Sequence, residues 1–323
     1  MTCADLKADS EASSEHQASL RIAVIVPCYN EAPTIAAVVA RAKAALPGAA
    51  VYVYDNNSLD DTAKIARAAG AIVANERYQG KGNVVRRMFA DIDADIYVMV
   101  DGDNTYDLEV APALIATMRE QSLDFVNGAR IDKRANAYRA GHRFGNRLLS
   151  DLVQWIFGHR FSDMLSGYKI LSRRFVKSFP AESQGFEIET ELTIHALELR
   201  MPAAEMPTIY GVRPEGSSSK LSTWRDGLRI LFLISRLVKD EHPFQVFGTI
   251  AVGFALASLW LGVPVIAEFV ATGLVPRFPT ALLATGLMLI GVMSFSIGLV
   301  LDTVTKARRE AKRLAYLAHA PVP

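Results

Sequence analysis

Two stretches near the carboxyl end of the chain set the first limit on what it can fold into. Residues 244–267 (FQVFGTIAVGFALASLWLGVPVIA) and 278–301 (FPTALLATGLMLIGVMSFSIGLVL) are 24 residues each and carry no charged side chain. About 20 apolar helical residues cross a bilayer core. Core helices of soluble proteins rarely stay apolar on every face for so long, so 244–301 reads as a transmembrane helical hairpin. The connector EFVATGLVPR holds one acidic and one basic residue. Arg225, Arg229, Arg236 and Lys239 precede the first stretch, and TKARREAKR follows the second. The positive-inside rule then places both termini, and everything ahead of the spans, in the cytoplasm of a multi-pass inner-membrane protein.

The rest of the chain divides around that hairpin. Residues 1–19 are small and polar with no apolar run behind a basic start, and read as a disordered leader rather than a signal peptide. Residues 20–223 form the polar domain. In 224–243, Trp224, Leu228, Leu231, Phe232, Ile234 and Leu237 alternate with basic residues at helical spacing, as an amphipathic juxtamembrane helix does. Residues 302–323 are a basic tail. With 35 Lys and Arg against 34 Asp and Glu, the chain has no basic surplus for general nucleic-acid binding. Its two cysteines, Cys3 and Cys28, exclude a disulfide framework and a structural zinc site.

Within 20–223 the pattern alternates. RIAVIVP at 21–27 is a short β-branched run, followed by a helical stripe of Ile35, Val38, Val39, Ala42 and Leu46 with Pro33 near its first turn. Further strands are expected at 51–54, 71–74 and 96–100, with helices after Asp60-Asp61 and over 81–92. Such alternation predicts a parallel sheet with helices on both faces, whose ligand sits beyond the carboxyl ends of the strands. Those ends carry Tyr29-Asn30-Glu31, Asp55-Asn56-Asn57-Ser58 and Asp101-Gly102-Asp103. No GxGxxG follows the first strand and no GxxxxGK[ST] occurs, which argues against dinucleotide dehydrogenases and P-loop NTPases. Two carboxylates on a turn after a buried strand can instead hold a divalent cation, Mg²⁺ or Mn²⁺, against a diphosphate. Asp101 and Asp103 have that form.

The motifs VPCYNE (26–31), YDNNSLDDT (54–62), GKGNVVRRM (80–88), VDGDNTYD (100–107), NGAR (127–130), SDMLSGYKILSRR (162–174), GFEIETEL (185–192) and VRPEGSSSKL (212–221) occur in this order. Together they resemble family 2 glycosyltransferases of the GT-A fold, in particular the polyprenyl-phosphate sugar synthases related to dolichol-phosphate mannose synthase. The resemblance implies an α/β, Rossmann-like nucleotide-binding domain followed by the juxtamembrane helix and two membrane spans. It implies that Pro27, Tyr29 and Glu31 hold base and ribose, that Asp55 continues that pocket, and that Asp101 and Asp103 hold metal and diphosphate. Arg130, Arg213 and Lys220 are then expected to meet phosphates, Asp163 to serve the acceptor site, and Glu191 to organise the site. Members of the family usually end the second strand in Asp-Asp-Gly-Ser; Asn56 replaces a carboxylate here, which leans the donor towards a UDP-sugar. The QxxRW signature of processive synthases is absent, which argues for transfer of a single sugar.

The expected partners are a nucleotide sugar, a polyprenyl phosphate (undecaprenyl or dolichyl) and membrane lipids, with self-association left open and nucleic acid excluded. The expected reaction is inverting transfer of one hexose to the lipid phosphate at the cytoplasmic face. The alternatives are a GDP-mannose-dependent transferase and a non-catalytic, membrane-anchored nucleotide-sugar-binding module.

Overall fold

The computed structural model describes residues 20–132, 161–185, 187–211 and 242–322, together with Gln154 and Lys239. The described residues divide into two compact units, one within 1–223 joined by 312–323 and the other within 224–311.

The first unit is built on a seven-stranded sheet: β1 (Ile22–Cys28), β2 (Ala50–Asp55), β3 (Ile72–Asn75), β4 (Ile96–Met99), β5 (Phe125–Asp132), β6 (Lys169–Ser172) and β7 (Ala203–Tyr210). Their spatial order is β3-β2-β1-β4-β6-β5-β7. The first four strands are mutually parallel, with Val26 opposite Val53 and Val24 opposite Val98. These four are the strands expected to be parallel; β6, which the sequence did not mark, runs antiparallel to both β4 and β5 and makes the sheet mixed. β7 then pairs parallel with β5. The reversal brings the carboxyl ends of β1, β2, β4, β5 and β7 and the start of β6 to one edge.

Alternation of side chains along each strand gives the sheet two apolar faces. One face carries Val24, Val26, Val53, Val98, Val126 and Ile170. It packs on α1 (Ile35–Ala45) through Ile35, Val38, Val39 and Ala42, and on α4 (Ala111–Glu120) through Leu114, Ile115 and Met118. The other face receives α3 (Lys81–Asp91), whose Phe89 ring meets Tyr97 of β4. On that face α5 (Arg173–Ser178) sets Phe175 against Phe125 of β5. Ser172 caps α5 by accepting from Phe175 N, an ordinary N-cap. α2 (Thr62–Ala68) links β2 to β3, and α6 (Ile188–Glu198) precedes β7. Each fully buried aliphatic or aromatic side chain in these layers contributes about 1.5–3 kcal/mol.

In the second unit α7 (Pro243–Thr272) and the greater part of α8 (Phe278–Leu317) form an antiparallel hairpin. Both are long and apolar enough to cross a membrane. They are not core helices: Leu256, Trp260, Ile266, Val270, Leu289 and Met293 are exposed, with Trp260 at 78%. The buried positions of α8 are Ala284, Gly291 and Gly298, small residues that let two helices approach closely without an aqueous hydrophobic drive. Ser258 Oγ donates to Ala284 O at 2.7 Å across the pair.

The sequence sets 302–323 apart as a basic tail. In the structure this region continues α8 as far as Leu317, and its last part packs on the first unit. Lys312 Nζ donates to Glu198 Oε2 at 2.7 Å, Tyr316 OH donates to Asp124 Oδ2 at 2.8 Å, and the Arg174 guanidinium lies 4.7 Å from the Tyr316 ring centroid. The amphipathic segment 224–243 lies outside the described residues apart from Lys239, His242 and Pro243.

Candidate active site

The common sheet edge collects the polar strand ends. After β1, Asn30 takes a left-handed φ of 53°, its amide donates to Ser58 Oγ at 2.9 Å, and its Oδ1 accepts from Leu59 N at 2.7 Å. These bonds tie the loop after β1 to the loop after β2. Pro27 is buried in β1 and Tyr29 half-buried just beyond it. Glu31 is buried, and Thr34 Oγ1 donates to Glu31 Oε2 at 3.3 Å and to Gly102 O at 2.7 Å. The start of α1 is thereby fastened to the Asp101-Gly102-Asp103 turn. Cys28 is buried with its Sγ beneath Gly102, a packing role.

Asp55 is buried at the end of β2. Its Oδ2 accepts from Ser58 N at 3.1 Å, while its Oδ1 is buried and has no hydrogen-bond partner among the described residues. Asn56 beside it behaves differently. Its amide nitrogen donates to Glu76 O at 3.1 Å and Tyr78 O at 2.8 Å, and its Oδ1 accepts from Gly80 N at 2.7 Å. Asn56 thus braces the 76–80 loop with its whole amide. The change from the family's usual Asp is accounted for by that bracing, so it supplies no argument about the nucleobase.

Asp103 is buried and accepts from Thr105 N at 3.2 Å and Thr105 Oγ1 at 2.5 Å. Asp101 accepts from Lys81 Nζ, which also donates to Glu189 Oε1. Burial alone would lower the Lys81 ammonium, but the charges of Asp101 and Glu189 outweigh it and raise its pKa. Burial pushes the Glu189 carboxyl up, against the opposing effect of Lys81. A Cβ built on Gly167, just before β6, would overlap the Asp101 carboxylate, so glycine keeps that carboxylate clear. Hard carboxylate oxygens on a fixed turn suit Mg²⁺ or Mn²⁺. Among the described residues no group of three or more His, Cys, Asp or Glu side chains could hold a metal unaided. The pair Asp101 and Asp103 therefore fits a cation whose shell is completed by ligand oxygens and water.

Lys81 is placed by its glycine flanks. Gly80 has φ 129°, and a Cβ on Gly80 or Gly82 would collide with the carbonyls of Gln184 or Ser183. Gly82 N donates to Gln184 O at 3.1 Å. That 182–184 segment is held in turn by Glu191, which accepts from Glu182 N and Ser183 N at 2.8 Å each. Glu191 thus supports the segment against which the start of α3 packs.

Arg130, near the end of β5, is locked by Asp163: Nε donates to Oδ2 at 2.6 Å and Nη2 to Oδ1 at 2.7 Å, a bidentate pair. Burial would raise the Asp163 carboxyl, but the hydrogen bonds and charge of Arg130 hold it below the usual carboxylate range. The Arg130 guanidinium also lies 5.5 Å from the Tyr210 ring centroid. Behind this pair is a buried polar network. Lys169 Nζ donates to Asn127 Oδ1 at 2.8 Å, and the Asn127 amide donates to Asp163 O and Glu205 Oε1 at 2.8 and 2.9 Å. Burial lowers Lys169 to about 8.

The edge therefore assembles Pro27, Tyr29, Glu31, Asp55, Asp101, Asp103, Arg130 and Asp163, with Glu191 supporting it from α6. Arg213, Lys220 and the Gly216-Ser217-Ser218-Ser219 run lie outside the described residues. Sequence reasoning missed Lys81 and Lys169, and the pairing of Glu189 with Lys81. The two glycines around Lys81 were the available signal, since they mark a close backbone approach.

Residues 23–178 match the profile of glycosyl transferase family 2. The glycosyltransferase AglJ of Haloferax volcanii is 32% identical over 92% of this chain and 98% of its own length. A dolichyl-phosphate hexose transferase from the same organism is 29% identical over 68% of this chain and 95% of that protein. Among solved structures, glucosyl-3-phosphoglycerate synthase of Mycobacterium tuberculosis, in complex with Mn²⁺ and UDP-glucose, superposes with a TM-score of 0.55. It is 24% identical over 72% of this chain and 82% of that one, a likeness of fold. A mixed sheet of this order, the match over residues 23–178 and a relative matched over 92% of this chain converge: the chain belongs to glycosyl transferase family 2 and is a glycosyltransferase.

Proposed function

We propose that this glycosyltransferase moves a single hexose, UDP-linked in the favoured reading, to the phosphate of a polyprenyl phosphate, inverting the anomeric centre, at the cytoplasmic face of the membrane. The observation that carries the reading is the Asp101-Gly102-Asp103 turn at the ligand edge of a chain that also has two membrane-length apolar helices. The relative named for dolichyl-phosphate hexose transfer supports the acceptor, and the neighbour solved with UDP-glucose supports the donor.

Each residue has a task in that reaction. Pro27, Tyr29 and Glu31 receive base and ribose. Asp55 Oδ1, without a partner among the described residues, is an acceptor suited to a nucleobase N–H. Asp101 and Asp103 hold the divalent cation, Mg²⁺ or Mn²⁺, which when bound neutralises the diphosphate leaving group. Arg130, fixed in place by Asp163, Arg213 and Lys220 offset phosphate charge by preorganised electrostatics. The acceptor phosphate needs no strong base, because its second pKa near 6 leaves it anionic at neutral pH.

The test is a donor panel with the purified chain in detergent, undecaprenyl or dolichyl phosphate, and Mg²⁺ or Mn²⁺. Label from a UDP-hexose should pass into the lipid extract. Label from GDP-mannose alone would replace the donor assignment, and no labelled lipid from any donor would refute the reading.

A further inference from the structure

Lys81 stands where the proposed site expects a different cation. Its ammonium donates to Asp101 Oδ1 and Glu189 Oε1, with only 10% of its side chain exposed and 6% of that of Glu189. A divalent ion on Asp101 would lie beside this ammonium, and two cations sharing one carboxylate in a buried site repel strongly. The structure holds a place for the ammonium to go. Glu189 Oε2 is buried and has no hydrogen-bond partner among the described residues, although a carboxylate accepts at both oxygens and an ammonium has three donors. The backbone at Lys81 has little freedom, since Gly80 and Gly82 pack against the Ser183 and Gln184 carbonyls of a segment that Glu191 supports. Movement is thus confined to the side chain.

We propose that Lys81 is an internal counter-ion of Asp101 which the divalent cation displaces, and that Glu189 is the positioning residue that receives the displaced ammonium. Before loading, Lys81 neutralises the half-buried Asp101 carboxylate at the sheet edge. On loading, Nζ leaves Asp101 Oδ1 and takes up Glu189 Oε2 beside Oε1, so the net charge around the turn changes only by the arriving ion. Glu189 acts through Lys81 and does not itself touch the cation. The proposal rests on Asp101 and Asp103 being the cation ligands.

The experiment reads Mn²⁺ binding by the loss of its free-ion paramagnetic resonance signal, with the full chain in detergent, first without nucleotide and then with UDP. Lys81→Met should tighten nucleotide-free Mn²⁺ binding about tenfold, the order expected for removing one neighbouring positive charge. Glu189→Gln should weaken it, because the ammonium then has no carboxylate to move to. In the double variant Glu189→Gln should add nothing to Lys81→Met. That non-additivity separates action through Lys81 from a direct effect of the Glu189 charge. Unchanged Mn²⁺ affinity in Lys81→Met, or an equal loss from Glu189→Gln in both backgrounds, would overturn the exchange while leaving the cation site standing. Should Lys81→Met not fold, the double variant, which removes both charges of the pair, must still bind Mn²⁺ more tightly than the parent; equal or weaker binding overturns the proposal. Failure of the parent chain to bind Mn²⁺ even with UDP would overturn both this exchange and the cation site on which it rests.

Discussion

Single side chains at the candidate site do one of two jobs, presenting a polar atom or bracing the backbone that presents it, and sequence distinguishes the two poorly. The place of Asp101 and Asp103 on a turn directly after a strand was legible, because the apolar run before Asp-Gly-Asp marks the strand end. Asn56 was not. Its position beside Asp55 suggested a nucleobase contact, whereas its amide is spent on Glu76 O, Tyr78 O and Gly80 N. Asn56→Asp should therefore cost about 1–3 kcal/mol of stability, because two donors facing carbonyls become acceptors. The ratio of kcat/KM between a UDP-sugar and GDP-mannose should stay unchanged, and a reversal of that ratio would restore Asn56 as a specificity residue. The pairing of Lys81 with Glu189 was not legible, because 108 residues separate the two. Each alone reads as an ordinary surface charge, and only the packing of α3 beside α6 buries both.

At the scale of elements, β1 to β4 and the helices between them followed from periodicity alone, since strand and helix alternate and each buries a regular apolar stripe. The direction of β6 did not. Four residues, Lys169–Ser172, buried on both faces, carry no record of which way they run. The helices behind the sheet also carry their own titration signature. His195 of α6 is buried against the rings of Phe175 and Phe179, and its Nε2 is 3.0 Å from Ser178 Oγ. Burial lowers its pKa from 6.5 to about 3. The unfolded chain therefore binds a proton between those values that the folded chain refuses, and stability must fall as pH drops below 6.5. His195→Gln removes this contribution. The melting-temperature advantage of the parent over His195→Gln should shrink steadily between pH 6.5 and pH 4, and a constant difference would show that His195 titrates normally.

For the whole molecule, the charge distribution about the two apolar helices and the motif order along the chain were both open to sequence, because neither depends on tertiary contacts. The packing of Lys312 and Tyr316 on Glu198 and Asp124 was not, since a basic tail gives no hint of what buries it. The hairpin is expected to expose only its connector outside the cell. In intact cells an impermeant thiol reagent should label a cysteine placed at Thr272 and spare one at Leu314, and the opposite pattern would reverse the orientation. The central claim is transfer of one hexose to a lipid phosphate on an Asp101–Asp103 cation site. Mass spectrometry of the lipid extract after incubation with UDP-hexose, undecaprenyl phosphate and Mn²⁺ tests it most directly. The product should be the lipid phosphate heavier by a single hexose unit, and Asp103→Ala, folded by its melting curve, should form it at least about a hundredfold more slowly. A product carrying a hexose chain, or an undiminished yield from Asp103→Ala, would contradict the account.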